Sequence, residues 1–505
     1  MQPLASAIDR LADTRPDDTA FLGVHDAFSW SDYAKRSERF AAHLVALGLG
    51  PGDRVGIVLP DGPGVHAAFV GCEKAGIVVV GIGPRAGTEE ISHLLGLSGA
   101  RALVARPSHR GIDMAALAGE CGISCFVPIE GQLEEDEPAL EGSGLLTSQA
   151  RRLGVDDLFL LNSTSGTTGL PKCVTHHQAR WLHFHELAAE AGEMTDADVF
   201  MSVLPAPFGF GLWTAHFTPA LLGAPTVLME RFDASAMLRA MEKHRVSVLA
   251  AVSTQFIMML NAPELEEADL SALRVLFTGG EAVPYERAAE FEERTGASVL
   301  QFYGSNETGA LCRTTTRDSR DKRLRTAGRL IDSMQVRLYD DEGNDVTAGG
   351  EGQPACRGPL TSHGYFGDEA ANAKLFTRDG WMLTGDIARI DAEGYLSVVG
   401  RTADFIIRGG KNISGPAVED AVSSHPSVAL SAAVAMPDPV YGERVCVYVE
   451  LLEDEPGLTL EALREHLQER GVSKEWFPER LIVVEALPRA SGGKIAKGEL
   501  RADIR

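Results

Sequence analysis

Apolar residues fall along this chain in two rhythms. Short runs rich in β-branched residues, at residues 53–59, 77–82, 102–105, 247–252 and 274–277, have the length and composition of buried strands. Between them, apolar positions recur every three to four residues over 30–47 and 234–244, the period of a helix with one buried face. Strand alternating with helix predicts an α/β fold of largely parallel sheets packed with helices. Past Gly394 the texture changes. Short strands at 395–399 and 445–451 alternate with short helices, one of them opening at Pro416, where a missing N–H costs nothing. A boundary is expected at 401/402, between a large N-terminal α/β domain (1–401) and a compact α+β domain (402–505).

Composition narrows the picture. With 505 residues, 44% of them hydrophobic and 23% charged, the chain is globular and long enough for several domains. Its net charge, 47 − 71 = −24, repels phosphate backbones and anionic lipid, so neither nucleic-acid binding nor membrane-surface attachment is expected. One small polyanion can still be held locally by a Gly-rich loop or a helix end. Seven scattered cysteines do not make a disulfide framework, and Cys121 and Cys125 lack the second pair that a zinc site needs. The first residues have neither the basic stretch nor the apolar core of a secretory signal. No apolar run approaches the ~20 residues of a membrane span. A cytoplasmic protein without an integral membrane segment is the expectation. The acidic run at 134–137 reads as a solvated loop.

The most informative segment is Asn162-Ser-Thr-Ser-Gly-Thr-Thr-Gly-Leu-Pro-Lys172, set between the apolar run 158–161 and an expected helix. Its glycines allow close backbone approach, its hydroxyls and N–H groups are compact donors, and Lys172 adds a cation; that is what cradling a polyphosphate requires. The spacing is not that of a P-loop.

The stretch from Thr164 to Lys172 resembles the phosphate-binding signature of the adenylate-forming superfamily, which comprises acyl- and aryl-CoA synthetases, peptide-synthetase adenylation domains and luciferases. Six further segments follow in that superfamily's order: Thr278-Gly-Gly-Glu281, Tyr303-Gly-Ser-Asn-Glu307-Thr-Gly309, Gly380-Trp-Met-Leu-Thr384-Gly-Asp386, Gly400-Arg401-Thr-Ala-Asp404, Gly409-Gly-Lys-Asn-Ile413 and Pro488-Arg-Ala-Ser-Gly-Gly-Lys494. The resemblance implies a large N-terminal domain of α/β sheets packed with helices and a small mobile C-terminal α+β domain. It implies ATP, Mg²⁺ and CoA as the small molecules bound, with a carboxylic acid as substrate. The nucleotide would be held by Thr164, Ser165, Gly166, Thr167, Thr168, Gly169, Lys172, Gly280, Glu281, Tyr303, Gly304, Ser305, Asn306, Thr308, Asp386 and Arg401. Within that set Asp386 is implied as the ribose contact and Gly280, Glu281 and Tyr303 as the flanks of the base; Glu307, outside it, is implied as the metal ligand. Lys494, with Glu307 and Thr164, makes up the implied catalytic group, Lys494 neutralising charge between the carboxylate and the α-phosphate. Gly409, Gly410, Lys411 and Asn412 would replace that lysine after the C-terminal domain rotates and help build the thiol tunnel, with Ala403 at the hinge.

Three positions depart from the superfamily's pattern. Cys173 stands where Gly commonly follows Pro-Lys, Ala403 stands where the hinge is usually Asp or Lys, and Phe208 stands where His is frequent. Phe208, Phe210, Trp213, Phe256, Met258 and Met259 gather where the resemblance puts the acyl pocket, and Gly280 and Ser305 leave it room. No acidic residue for an α-ammonium occurs at 252–259, which favours an apolar medium-chain, alicyclic or aromatic acid over an amino acid. The expected activity is an AMP-forming acid–CoA ligase. An acyl-AMP ligase loading a carrier-protein thiol is the nearest alternative; a fused carrier is not expected, which favours CoA and leaves a separate carrier open. A luciferase-type oxygenase fits the residue usage poorly, and a non-catalytic nucleotide-binding relative conflicts with the presence of Glu307, Asp386, Arg401 and Lys494. Monomer and homodimer are both compatible with the motifs.

Overall fold

The β-branched runs become strands and the amphipathic stretches become helices in a computed structural model. It describes the chain except residues 24–26, 135–136, 141–143, 145, 147–150, 165–170, 281–282, 341, 402–403, 409–410, 453–456, 491–493 and 505, and except the side chains of Arg401 and Asn412. Ala102–Ala105 and the helix Ala234–His244 have the expected bounds; the helix expected over 30–47 runs Trp30–Ala46. That helix starts where it does because Ser29 and Asp32 cap each other. The Ser29 hydroxyl accepts from the Asp32 N–H at 3.1 Å and the Asp32 carboxylate from the Ser29 N–H at 3.0 Å.

Among the described residues two large sheets form the N-terminal part. In a six-stranded sheet, Cys125–Pro128, Ala102–Ala105, Arg54–Val58, Val78–Gly81 and Leu158–Ser163 run parallel, and Cys173–His177 closes the edge antiparallel. The segment after Lys172 is therefore a strand before it is a helix, Gln178–Ala191, which corrects the expectation. Val174 and Thr175 are β-branched and pair with the preceding strand, making 164–172 a hairpin loop. Cys173 needs no glycine-like freedom there. Its backbone is not among the described residues with positive φ, and its thiol packs in the apolar cluster beneath the sheet, where burial pushes its pKa up to about 12.

The second sheet has fourteen strands. From Thr19–Leu22 through Thr226–Leu228, Phe200–Ser202, Val248–Ala250 and Val275–Gly279 to Ser298–Ser305 it is parallel, as the alternation predicts. From Ser305 onward its strands pair antiparallel, contrary to that expectation. The connections there, such as 306–308 and 391–394, are turns too short for the crossover a parallel pair requires. The C-terminal part is a five-stranded sheet in which Lys411–Ser414, Phe405–Arg408, Gly442–Leu451 and Val428–Asp438 pair antiparallel. Arg480–Val483 joins it parallel, and the helices Gly415–Ser423 and Leu460–Glu469 pack an apolar cluster against it. The chain is thus a mixed α/β protein with a large N-terminal and a small C-terminal domain. No helix among the described residues is long and apolar enough to cross a membrane.

The acidic run is not a uniformly solvated loop. Glu137 is buried, and its carboxylate accepts the backbone N–H groups of Glu130 and Gly131 at 3.0 Å each; Glu135 and Asp136 lie outside the described residues.

A buried ionic network ties the first helix, Leu4–Thr14, to the core. Lys74 is 1% exposed, its ammonium 2.8 Å from Asp9 and 3.5 Å from Glu38, while the neighbouring Glu73 accepts from the Ala5 N–H at 3.0 Å. Burial drives the Glu73 pKa up to about 7 against the pull of Lys74 and Arg152. Replacing Lys74 by Met removes the buried cation, leaving Glu38 without it and Asp9 with Arg152 alone at 2.6 Å. We expect a loss of about 3 kcal/mol, read as a lower denaturant midpoint; an unchanged midpoint would mean the network contributes nothing net.

Candidate active site

The strands of the large sheet deliver their C-terminal ends to one cavity of about 490 Å³, and the C-terminal domain forms one of its walls. Its polar end is made by Thr164 and Lys172 at the neck of the hairpin loop, Gly280 after Val275–Gly279, the turn Gly304 to Glu307 after Ser298–Ser305, and Thr384 and Gly385. Thr164 N–H donates to the Lys172 carbonyl at 3.0 Å, closing the loop's neck. Lys172, Arg180 and Lys494 face Glu307 and Asp404 around this end, and Asp404 is already paired with Arg501, so a net −24 protein presents a locally cationic pocket.

Lys494 arrives from the C-terminal domain. The backbone turns back on itself there, Ala490 N–H donating to the Lys494 carbonyl at 2.7 Å, and the ammonium donates to the Gly280 carbonyl at 2.6 Å. Gly280 has φ +81°, a backbone conformation that favours glycine, and a Cβ on it would stand 2.8 Å from that ammonium and push the lysine aside. The domain is docked by further contacts: Tyr285 N–H, at the start of the helix Tyr285–Thr295, donates to Asp420 at 3.2 Å, and the Arg287 guanidinium donates to the Val428 carbonyl at 3.0 Å.

Glu307 accepts from the Tyr365 hydroxyl at 2.8 Å, and the Lys172 ammonium lies 4.7 Å from the centre of the same ring. Arg180, in the helix Gln178–Ala191, is buried; desolvation lowers its pKa to about 10 while the Glu307 charge opposes that fall. The Tyr303 hydroxyl donates to Asp386 at 2.6 Å, and burial and the Asp386 charge together raise the tyrosine's pKa. Strand register sets Arg401 opposite Asp386. Thr308 is buried, its hydroxyl taking the Ser305 N–H at 2.9 Å, so it braces the turn.

The other end of the cavity is aromatic. Phe208, Phe210 and Trp213 line it, joined by Trp181, Phe184 and Phe302. Phe210 stacks on Trp213 at 5.7 Å, and Phe184 lies 4.7 Å from Phe302 and 5.4 Å from Trp213. This wall is reached through a tight bend: a Cβ on Gly211 would collide with the Pro205 carbonyl, and the chain then winds as a π-helix over Leu212–Phe217.

Of the sequence-derived site residues, Thr164, Lys172, Gly280, Gly304, Ser305, Asn306, Glu307, Phe208, Phe210, Trp213 and Lys494 meet at this cavity. Tyr303, Asp386 and Thr308 do not line it, although their neighbours Gly304, Thr384, Gly385 and Gly309 do. Phe256 is a correction. It is 0% exposed and packs edge-on against Phe291 at 5.8 Å, because the helix Ser253–Asn261 turns that side to the core. Met259 is buried in the same core, and the Met258 sulfur instead faces the Arg489 guanidinium at 3.6 Å. Lys411 is exposed and paired with Glu475, away from the cavity. Ser165, Gly166, Thr167, Thr168, Gly169, Glu281, Ala403, Gly409 and Gly410, and the side chains of Arg401 and Asn412, lie outside the described residues. Sequence reading missed Arg180, Trp181, Phe184, Phe302, Tyr365 and Asp404. The spacing of Trp181, Phe184, Ala188 and Ala191 reads equally well as the stripe of a core helix, and Tyr365 carries no local signal of its partner Glu307.

Residues 8–366 match the family described as AMP-binding enzyme, and residues 417–494 match the AMP-binding enzyme C-terminal domain. The chain belongs to the AMP-binding enzyme family. It is 31% identical to a medium-chain fatty-acid–CoA ligase of Escherichia coli (strain K12), over 99% of this chain and 90% of that one. It is 32% identical to a feruloyl-CoA synthase of an Amycolatopsis species, over 99% of each chain. Among solved structures it resembles ATP-bound MatB from Rhodopseudomonas palustris with a TM-score of 0.86 and 26% identity, covering 100% of this chain and 99% of that one.

Proposed function

We propose that this AMP-binding enzyme is an acid–CoA ligase that activates an apolar medium-chain, alicyclic or aromatic carboxylic acid as its acyl-AMP and then transfers the acyl group to the thiol of CoA. The observation that carries the reading is one cavity with a cationic, hydroxyl-bearing end and an aromatic end. Relatives that activate a fatty acid and a feruloyl group, and a neighbour solved with ATP, support it.

The acid's chain or ring packs among Phe208, Phe210, Trp213 and Phe302, which directs its carboxylate toward the polar end. There Lys494, held on the Gly280 carbonyl, and Lys172 lie on the side where negative charge develops as the carboxylate oxygen attacks the α-phosphorus and pyrophosphate leaves. Thr164 and the loop after it cradle the phosphates, and Asp386, held by Tyr303 directly behind the lining residues Thr384 and Gly385, would accept from the ribose hydroxyls once the nucleotide reaches that side of the cavity. Glu307 would hold Mg²⁺. One carboxylate beside phosphate oxygens and water is the donor set that ion prefers, and the described residues contain no group of three or more ligating side chains that would suit a protein-only cage. The ion, when bound, supplies further neutralisation of the phosphates.

In the second half-reaction the CoA sulfur attacks the acyl carbonyl and AMP leaves. A turn of the C-terminal domain about the region of Ala403 would withdraw Lys494 and bring the segment of Gly409, Gly410, Lys411 and Asn412 to the site.

Incubation with Mg·ATP, CoA and a panel of fatty, cyclohexane and aromatic acids tests this directly, with AMP and acyl-CoA followed by mass spectrometry. Stoichiometric AMP and acyl-CoA are expected. Acyl-AMP without thioester would assign the thiol to a carrier protein instead, and absence of AMP with every acid would overturn the reading.

A further inference from the structure

Phe208 is carried into the cavity by residues 205–209, and three side chains from elsewhere in the fold hold that segment's backbone. Asp61 accepts the Ala206 N–H at 2.8 Å, the Asn162 amide donates to the Pro207 carbonyl at 3.1 Å, and the Asn306 side-chain Oδ1 accepts the Gly209 N–H at 3.1 Å. The last two grip the peptide groups on either side of Phe208.

They are also connected to each other. His176 Nε2 lies 2.9 Å from Asn162 Oδ1, and His176 Nδ1 lies 3.2 Å from a guanidinium nitrogen of Arg180 that donates in turn to the backbone carbonyl of Asn306 at 2.9 Å. Asn162, His176 and Arg180 are all buried. A guanidinium can only donate, so His176 Nδ1 must accept and its proton sits on Nε2. That N–H then donates to Asn162 Oδ1, which turns the amide nitrogen toward the Pro207 carbonyl. The direction of every bond follows from Arg180. Burial and the Arg180 charge hold the imidazole well below its usual pKa, so it stays neutral, as the chain of donors needs. The ring is further fixed by stacking on Trp181 at 5.5 Å, itself a wall of the cavity.

We propose that Arg180, His176 and Asn162 form a positioning relay that sets Phe208, and with it the shape of the acyl end, relative to the turn carrying Asn306 and Glu307. The inference rests on the ligase reading for its kinetic consequence but not for its structural one. His176 is the positioning residue best suited to a test, because it is fully buried and does not line the cavity. His176→Phe keeps a ring on Trp181 and deletes both hydrogen bonds; His176→Gln keeps one acceptor and one donor.

Two readouts separate the relay from a merely structural role. Hydrogen exchange of the full chain without ligand should show the amides of Ala206, Phe208 and Gly209, the non-proline residues of the segment, exchanging about tenfold faster in His176→Phe, with the rest unchanged and His176→Gln near the parent. In turnover, His176→Phe should raise KM for the acid about tenfold and narrow the discrimination between acids one methylene apart, with KM for ATP unchanged. Unchanged loop exchange in His176→Phe, acid and ATP constants rising together, or His176→Gln as impaired as His176→Phe would each overturn the relay. If the parent protein forms no acyl-AMP at all, the ligase reading falls while loop exchange still decides the relay. Should His176→Phe not fold, Asn162→Leu, which is close in volume, adds no charge and removes the donor to Pro207 with the acceptor for His176, carries the same expectations.

Discussion

Lys494→Ala is expected to lower acyl-AMP formation by about 10²–10³-fold while changing thioester formation from supplied acyl-AMP by less than about threefold. The asymmetry follows from where the lysine comes from. It is contributed by the C-terminal domain, reaches the cavity through a turn, and has the Gly280 carbonyl as a hydrogen-bond partner. A charge presented in this way acts only while the domain stays docked through Asp420, Arg287 and Arg489. Lys172 remains in the pocket of the variant, so ATP affinity should fall much less than the rate. Pyrophosphate release reports the first half-reaction, and AMP release from synthetic acyl-AMP and CoA reports the second. Equal loss in both would make Lys494 a structural strut. No loss in either would remove it from the mechanism.

That lysine was legible in the sequence only through its motif, since a lysine in a glycine-rich loop has no periodicity to read. The strands and helices were legible for the opposite reason: burial on both faces makes a central strand a continuous apolar run, and burial on one face imposes a period of 3.6 on a helix. What periodicity does not contain is connection length, and so the antiparallel half of the large sheet and the strand after the phosphate loop escaped it. The acyl wall divides along the same line. Phe208, Phe210 and Trp213 sit on a bent segment whose glycines mark it as irregular, whereas Phe256 lies in a regular helix where an apolar side chain facing a cavity and one facing the core look alike. Arg180, Tyr365 and His176 were out of reach for a third reason. Their meaning lies in partners such as Asn306, Glu307 and Asn162, and for the first two these stand in remote parts of the chain. A buried polar residue is functional or structural according to what it meets, and that meeting is made by the fold.

Glu307→Gln is expected to reduce kcat/KM for ATP by about 10²-fold at ordinary magnesium and to raise the magnesium concentration needed for half-maximal rate. The substitution is nearly isosteric, and a glutamine carbonyl can still accept from the Tyr365 hydroxyl that now stands 2.8 Å from the carboxylate, so packing is retained and charge is what changes. Two consequences of losing that charge can be told apart. Arg180 loses the nearby negative charge that opposes its desolvation but keeps its donations to His176 and the Asn306 carbonyl, so the fold should survive with a modest fall in melting temperature. On the proposed role, Mg²⁺ would lose its carboxylate from the protein and keep phosphate oxygens and water, a weaker site that more magnesium would refill. A magnesium titration of the initial rate therefore separates the roles. Partial recovery at high magnesium identifies Glu307 as the group that holds the ion. A rate that stays low with an unchanged half-saturating magnesium concentration would mean that Glu307 acts by steadying Arg180 and Tyr365, and the metal would have to be held by another part of the cavity.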